Sequence, residues 1–557
     1  MPPFGSLAAT LVVFALPSLV ARTAEPLELQ LRYQQSTSPG AHRFHQLTRA
    51  EQWEARATAV IVCDMWDSHH CVNAVRRVAE LAPRMNLFVR ELRDRGATVI
   101  HAPSSCMDAY KDHPARVRAQ SVPLSKTLPN EIANWCDRIP NEEAAAYPVD
   151  QAAGGEDDDP EEHRLWAARL QALGRNPKAP WLKQCSPIEI SLKSDYISDS
   201  GQEIWSILEH EKIANVILVG VHTNMCVLGR PFGLRRLASN GKNVVLARDL
   251  TDTMYDPMAW PYVSHFSGTD LIIQHIERYV CPTISSDQIL GKAKTSHHDF
   301  QFAGDHRVRL AMLIAEDEYK TEESLPKFAA QLLGQQFSVV TIFGSAQDRS
   351  QIPGFEAVDI ADALLVSVRR RPLRPGDLQR VRDFVSKGKP VIGIRTASHA
   401  FALRDKQPDA GLAAWPEFDS EVFGGNYTNH YGDSLKSTVR LASDAASHPI
   451  VRGLEFDGFI PGGSLYKTAP LAAGSHALLF GKLTDEPEQP MAWTFVRADG
   501  GRSFYTSLGH VDDFAQTQFT TLLSAGIHWA CELEPPTHEA VKLQLAKYAS
   551  GSGRQRK

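Results

Sequence analysis

The sequence predicts an α/β protein built as two three-layer α/β/α domains with mostly parallel sheets. Three observations lead there. Short apolar runs rich in β-branched residues, TAVIVCD at 58–64 and VILV at 216–219, read as strands buried on both faces. A second series, RLAMLIAE, FSVVTIF and DALLVSV, follows beyond residue 306 and alternates with helical segments in the same way. The chain, at 557 residues, is too long for one ordinary core, and a polar stretch of little periodicity at 283–305 divides the two series.

Taken in order, residues 7–20 form an apolar run of signal-peptide length, followed by small residues up to Ala24. The run is too short to span a bilayer comfortably. No Lys or Arg precedes it, and no cysteine follows closely enough for a lipid anchor. The expectation is a signal peptide at 1–24, a secreted or periplasmic protein, and no stable membrane insertion once the signal is removed. Residues 25–57 are polar and mixed and read as a lead-in segment. The first domain is expected over 58–282. Its first strand, 58–64, ends in Asp64, and the motif DMWDSHHC follows. Residues 73–96 are an amphipathic helix with a glycine stop, and ATVIHAPSS is the second strand with its exit loop. The stretch 112–185 is long, acidic and Pro/Gly-punctuated, which marks a functional or mobile loop. Its run Asp157-Asp158-Asp159 lacks an EF-hand pattern and reads as solvated loop. A short strand is expected at 188–192 and a helix at 202–212, after which the core continues through NVVLARDL and DLIIQHIERYV. Residues 283–305 read as a linker, 306–534 as the second domain with a helix over 375–387, and 535–557 as a C-terminal tail ending in the basic GSGRQRK.

The net charge of −6 gives no electrostatic reason for nucleic-acid binding. Eight cysteines are present, without a CxxC pair, and no particular disulfide is predicted.

Cys226 lies in NVILVGVHTNMCV, where a strand gives way to a turn and a helical segment. Free backbone N–H groups and the positive end of a helix dipole favour a thiolate there and can bind the oxyanion of an acyl-transfer intermediate. A buried structural cysteine is the ordinary alternative. GVHTNMCV resembles the cysteine signature of the isochorismatase-like hydrolases, and the resemblance runs over 58–282. It implies a Rossmann-like fold, an Asp–Lys–Cys triad and cleavage of an amide C–N bond or a vinyl ether. By position, Asp64 is then the general base and Cys226 the nucleophile. Lys193, on IEISLKSDYISDSG, stands for the lysine, with Lys183 as the alternative. Val221, His222 and Met225 would build the oxyanion turn, with a cis peptide between Val221 and His222. Trp66 and His69 would line the pocket. Trp66, Tyr255 and Trp260 are bulky enough to be pocket walls or core. No cofactor is expected; zinc or another divalent metal on His69, His70 and Cys71 is the alternative.

In the second domain, GIRTASHAF, FGGNYTNHYGD, HPIVRGL, PMAWTF and GGRSFYTSLGHVDDF resemble the ThuA-like (trehalose-utilisation) family in order and spacing. That family shares the class I glutaminase-like, flavodoxin-type fold. The strand end GIRTASH carries no cysteine, which argues against a glutaminase reaction. His399, His430 and His510 sit in the matching motifs as candidates to converge on a carbohydrate-like ligand. The combined expectation is a cysteine hydrolase acting on a small-molecule amide-type substrate through a thioester, with an accessory ThuA-like domain. The alternatives are an inactive binding or scaffold protein, or a sugar-related activity in the second domain. Self-association into a homo-oligomer is left open.

Overall fold

The structure is a computed structural model that describes residues 25–291, 300–404 and 406–552. The expected signal peptide, part of the expected linker and the last residues of the tail lie outside these. Among the described residues no helix is long and apolar enough to cross a membrane.

Eight strands form the first sheet: β1 (Leu27–Ser36), β2 (Phe44–Trp53), β3 (Thr58–Cys63), β4 (Thr98–Ala102), β5 (Tyr196–Ile197), β6 (Asn215–Val221), β7 (Asn243–Asp252) and β8 (Thr283–Ile284). Their order is β2-β1-β8-β7-β6-β3-β4-β5, parallel from β8 to β5, with β1 and β2 added antiparallel at one edge. The helices of this half are α1 (Val72–Asp94), α2 (Pro114–Ser121), α3 (Pro160–Ala172), α4 (Gly201–His210), α5 (Leu234–Ser239), α6 (His265–Tyr279) and α7 (Asp287–Leu290). β3 is buried along its whole length because both faces of the sheet are covered. Its side chains alternate between two cores: Ala59, Ile61 and Cys63 join one, Val60 and Val62 the other. α1 closes the second core with Val78, Leu81, Met85, Phe88 and Leu92 at helical spacing. At the centre, Gly220 of β6 pairs with Cys63, and a Cβ at Gly220 would run into the Cys63 carbonyl. Only glycine lets these two strands close at that point.

The second sheet contains β9 (Val308–Ala315), β10 (Phe337–Phe343), β11 (Ala363–Val368), β12 (Val391–Ile394), β14 (Thr438–Leu441), β16 (Ser475–Lys482), β17 (Gln489–Val496) and β18 (Arg502–Thr506); β13 (Asn429–His430) and β15 (Tyr466–Lys467) form a separate pair. The order is β10-β9-β11-β12-β18-β17-β16-β14, parallel from β10 to β18 and antiparallel beyond. Helices α8 (Thr321–Leu332), α9 (Pro375–Ser386), α10 (Thr517–Ala530) and α11 (His538–Ser552) accompany it. The two mostly parallel α/β domains are thus those the sequence predicts.

Several local expectations change. Residues 25–57 are no lead-in: β1 and β2 extend the first sheet, and Leu27, Leu29 and Leu31 point into its core. Strands at a half-covered edge carry apolar residues only at alternate positions, so their composition reads as polar. Residues 188–192 are loop, and the strand is the two-residue β5. The linker begins as β8 and α7, whose Ile284 and Ile289 join the core that α1 closes. The tail contains α11, whose Tyr548 ring lies 6.0 Å from that of Trp260.

Leu29→Ala should destabilise the first domain by about 2–5 kcal/mol, because it opens a cavity in a shared core. Urea unfolding followed by tryptophan fluorescence measures this; a change below about 1 kcal/mol would show that the hairpin is dispensable.

Candidate active site

β3 and β6 lie side by side and end at the same edge of the sheet, which brings Asp64 to Cys226. Asp64 is fully buried and holds a left-handed backbone, with φ 46°. Its Oδ1 accepts the Ser104 N–H at 2.8 Å. Its Oδ2 accepts from Arg230 Nε at 3.0 Å. The Cys226 thiol and the Ser104 hydroxyl also neighbour the carboxylate and favour its charged form. Burial raises the Asp64 pKa, against the Arg230 charge and the hydrogen bonds from Ser104 and Cys226. Burial and then the neighbouring carboxylate push the Cys226 thiol well up, so Cys226 rests as the thiol.

Cys226 sits in a single π-helical turn, Thr223–Val227, after the cis peptide Val221–His222 that the resemblance implies. Such turns recur at functional sites. Within it the Met225 N–H donates to the His222 carbonyl at 3.0 Å. Met225 therefore does not offer its N–H to an oxyanion, and its side chain faces another cleft beside Trp135 and Tyr147. The His222 N–H is directed at the Cys226 sulfur. Burial lowers the His222 imidazole to about 4, so it is neutral at pH 7. Its Nε2 has no hydrogen-bond partner, and neither does Ser68 Oγ. Asp64, Trp66, Ser68, His69, Val221 and His222 line a narrow cleft with room for about one water molecule. Trp66 stacks on Trp181 with ring centroids 4.5 Å apart and donates to the Ser104 carbonyl. Tyr255 is fully buried core, and Trp260 packs toward the second domain.

The lysine assignment is corrected. Lys193 is exposed, and its backbone N–H bonds to Ser191 Oγ. Lys183 is exposed as well, with its backbone bound to Asp67. The cation on the carboxylate is Arg230, one helical turn beyond Cys226, with its guanidinium over the Trp135 ring at 5.5 Å. The C-V-L-G-R spacing signals this, since residues four apart share a helix face.

A metal does not suit the His69, His70 and Cys71 donors. His69 Nδ1 accepts the Cys71 N–H, His70 Nε2 pairs with Glu156 at 3.0 Å, and the Cys71 thiol donates to Asp157. Among the described residues no group of three or more His, Cys, Asp and Glu is placed to hold a metal ion. The acidic run is also not solvated loop. Asp157 pairs with Arg77 at 2.8 Å and with His265 at 3.2 Å, while Asp158 and Asp159 accept backbone N–H groups at the starts of α1 and α3. Arg77 and His265 also bind Asp252 at the end of β7, which ties the acidic loop to the sheet edge.

In the second domain His399, His430 and His510 surround one residue that the sequence reading passed over. Arg395 follows β12, is buried and has φ 42°. Its guanidinium lies over Tyr319 at 4.4 Å and Tyr466 at 4.7 Å. His399 and His430 approach the Tyr466 ring to 6.1 and 6.3 Å, and His510 approaches Tyr319 to 5.6 Å. His430 is exposed and donates to the Tyr431 carbonyl.

Comparison with known proteins gives two groups. The family model ThuA, trehalose utilisation, matches residues 315–530. No curated protein matches the chain. Among solved structures, a ThuA-like protein from Bacteroides uniformis is 13% identical, covered over 98% of its length and 43% of this chain, with TM-score 0.29. A cysteine hydrolase from Pseudomonas syringae is 16% identical, covered over 97% of its length and 44% of this chain, with TM-score 0.26. N-carbamoylsarcosine amidase from Thermoplasma acidophilum is 13% identical, covered over 96% of its length and 41% of this chain, with TM-score 0.22. The chain is thus similar to ThuA-like proteins and, over its N-terminal part, to isochorismatase-like cysteine hydrolases.

The His265 network sets a pH dependence. Burial disfavours the imidazolium, but Asp252 and the hydrogen bonds to Asp157 and Asp252 outweigh it and raise its pKa to about 9. A raised histidine stabilises fully below its unfolded pKa of about 6.5, and that stability is lost as pH rises through the folded value. The melting temperature should therefore fall between pH 7 and pH 10, and fall less in His265→Gln. Parallel thermal melts check this; equal slopes would remove His265 as the cause.

Proposed function

We propose that the first domain is a cysteine hydrolase that cleaves a small amide or related C–N bond through a thioester. The observation that carries this is the contact of Asp64 with both the Cys226 thiol and Arg230. In the forward step Cys226 Sγ attacks the carbonyl carbon while its proton passes to Asp64. The tetrahedral intermediate collapses, the C–N bond breaks, and Asp64 returns the proton to the leaving nitrogen. Water then gives a proton to Asp64 and attacks the thioester; the C–S bond breaks and the thiol is restored. Arg230 keeps Asp64 ionised between steps, the task a lysine performs in the Asp–Lys–Cys arrangement. Arginine stays charged at any working pH, so the substitution preserves the electrostatics. The unpartnered Ser68 and His222 atoms near the site suit a small polar substrate. N-carbamoyl compounds and simple primary amides are the natural first substrates to try.

A second reading, an inactive binding module, draws on the absence of any lysine from the site and on the burial of Cys226.

Ammonia release from a panel of such amides separates the two. Cys226→Ala should abolish turnover with little change in melting temperature. Arg230→Gln should lower kcat by about 10²–10⁴-fold, and Lys193→Ala should leave it unchanged. Loss of activity in Lys193→Ala with retention in Arg230→Gln would overturn the cation assignment. Turnover that survives Cys226→Ala would remove Cys226 as the nucleophile, and none in the parent protein would favour the binding module.

A further inference from the structure

The carboxyl edge of the second sheet repeats the geometry of the first with the opposite charge. In glutaminase-like folds a nucleophile occupies the sharp turn after the central strand. Here that turn holds Arg395, left-handed at φ 42° and 3% exposed. Tyr505 Oη donates to its carbonyl at 2.6 Å and fixes the turn. The guanidinium donates to the Ser507 carbonyl at 2.7 Å and to Tyr319 Oη at 3.3 Å. Its Nε is buried and has no partner. Among the described residues no carboxylate makes a direct ion pair with it; the buried Asp513 acts on it only through longer-range attraction, and a buried cation is costly without a close anion.

More positive charge surrounds it. Arg369, Arg370 and Arg404 all act on His399, together with Arg395. Arg369 is neutralised by Glu318 at 2.6 Å. Arg370 is itself left-handed, with φ 44°; its N–H donates to the His399 carbonyl and its side chain bonds to Tyr427. The His399 ring stacks on Tyr427 at 4.5 Å, and Tyr427 meets Tyr466 at 4.7 Å. Aromatic faces with a rim of phenol, imidazole and serine groups suit the C–H faces and hydroxyls of a sugar ring, and the guanidinium groups suit an oxyanion. Tyr319, Tyr427 and Arg370 are partly exposed and leave an approach from solvent.

We infer that this edge binds a sugar-derived oxyanion, a carboxylate or a phosphate. Arg395 forms its floor, Arg370 and Arg404 its rim, and Tyr427, Tyr466 and His399 its walls. The site is separate from Cys226 and does not depend on the hydrolase reading.

Isothermal titration calorimetry on the full chain, with glucuronate, glucose 6-phosphate and neutral glucose as probes, tests it. At least one anion should bind, more weakly as salt is added, and glucose should not. Binding of glucuronate alone assigns a carboxylate, and binding of glucose 6-phosphate alone a phosphate. Arg370→Gln should weaken binding about tenfold or more while the melt is unchanged. Arg395→Lys keeps the charge but loses the planar fork and should weaken it too. Should Arg395→Lys fail to fold, Arg370→Gln and Arg404→Gln still decide the matter. Absence of binding by both anions at millimolar concentration, glucose binding as tightly as they do, or unaltered binding in Arg370→Gln would overturn the inference.

Discussion

The buried carboxylate of Asp64 is the constraint on which the first domain depends. An ionised carboxylate inside a protein costs several kcal/mol unless it is paired and hydrogen-bonded. Arg230 and the Cys226 thiol, from the turn after β6, and the Ser104 N–H, from the loop after β4, meet that cost. Each therefore has to be in place. Arg230 is carried by the turn that follows β6, and its backbone N–H donates to the Cys226 carbonyl at 3.0 Å. Ser104 is carried by the loop after β4. The three strands concerned, β4, β3 and β6, are adjacent and parallel, so their exit loops reach one another without any long connection across the sheet.

The acidic loop is held by the same logic. Asp157 and Asp252 lie at one sheet edge and are bridged by Arg77 of α1 and His265 of α6. Burial opposes ionisation of both aspartates, but the arginine and the histidine outweigh it and hold both carboxyls well below their usual range. The network sits one step behind the candidate site, since Asp252 also acts on the neutral His222. It fixes the loop 153–163 against the N-terminal end of α1, and with it His69, whose carbonyl accepts from Trp166 of α3 at 2.8 Å.

What could be read from the sequence follows from how local each signal is. The central strands were legible because both faces are buried, which leaves continuous runs such as TAVIVC. Asp64 and Cys226 were legible because each ends such a run or follows it closely. The β1–β2 hairpin was not, because an edge pair needs apolar residues only at every second position. The acidic run was misread because its partners, Arg77, Asp252 and His265, are remote in sequence, and a charge run without visible partners resembles a solvated face. Arg230 carried a usable signal in its spacing from Cys226, but a lysine sought by its neighbours' identity drew attention to Lys193 instead. Arg395 carried none, because a turn noted for lacking a cysteine does not announce that its guanidinium is buried.

Asp64 and Arg395 show what the two domains share beneath their different chemistry. Each is the first residue beyond a buried parallel strand, β3 in one case and β12 in the other, and each is non-glycine with a left-handed backbone. Such residues cost roughly 1–3 kcal/mol and persist only where the surroundings over-determine them. The over-determination is visible in both places: the Asp64 side chain by Arg230 and Ser104, the Arg395 carbonyl by Tyr505 and its side chain by Tyr319, Tyr466 and Ser507. In both the bend turns a charged side chain to the sheet edge instead of burying it between sheet and helix. The difference lies in what completes the charge. Asp64 finds its cation within the chain, in Arg230. Among the described residues Arg395 finds π-faces, carbonyls and the longer-range attraction of Asp513 but no direct ion pair, which leaves room for a bound anion.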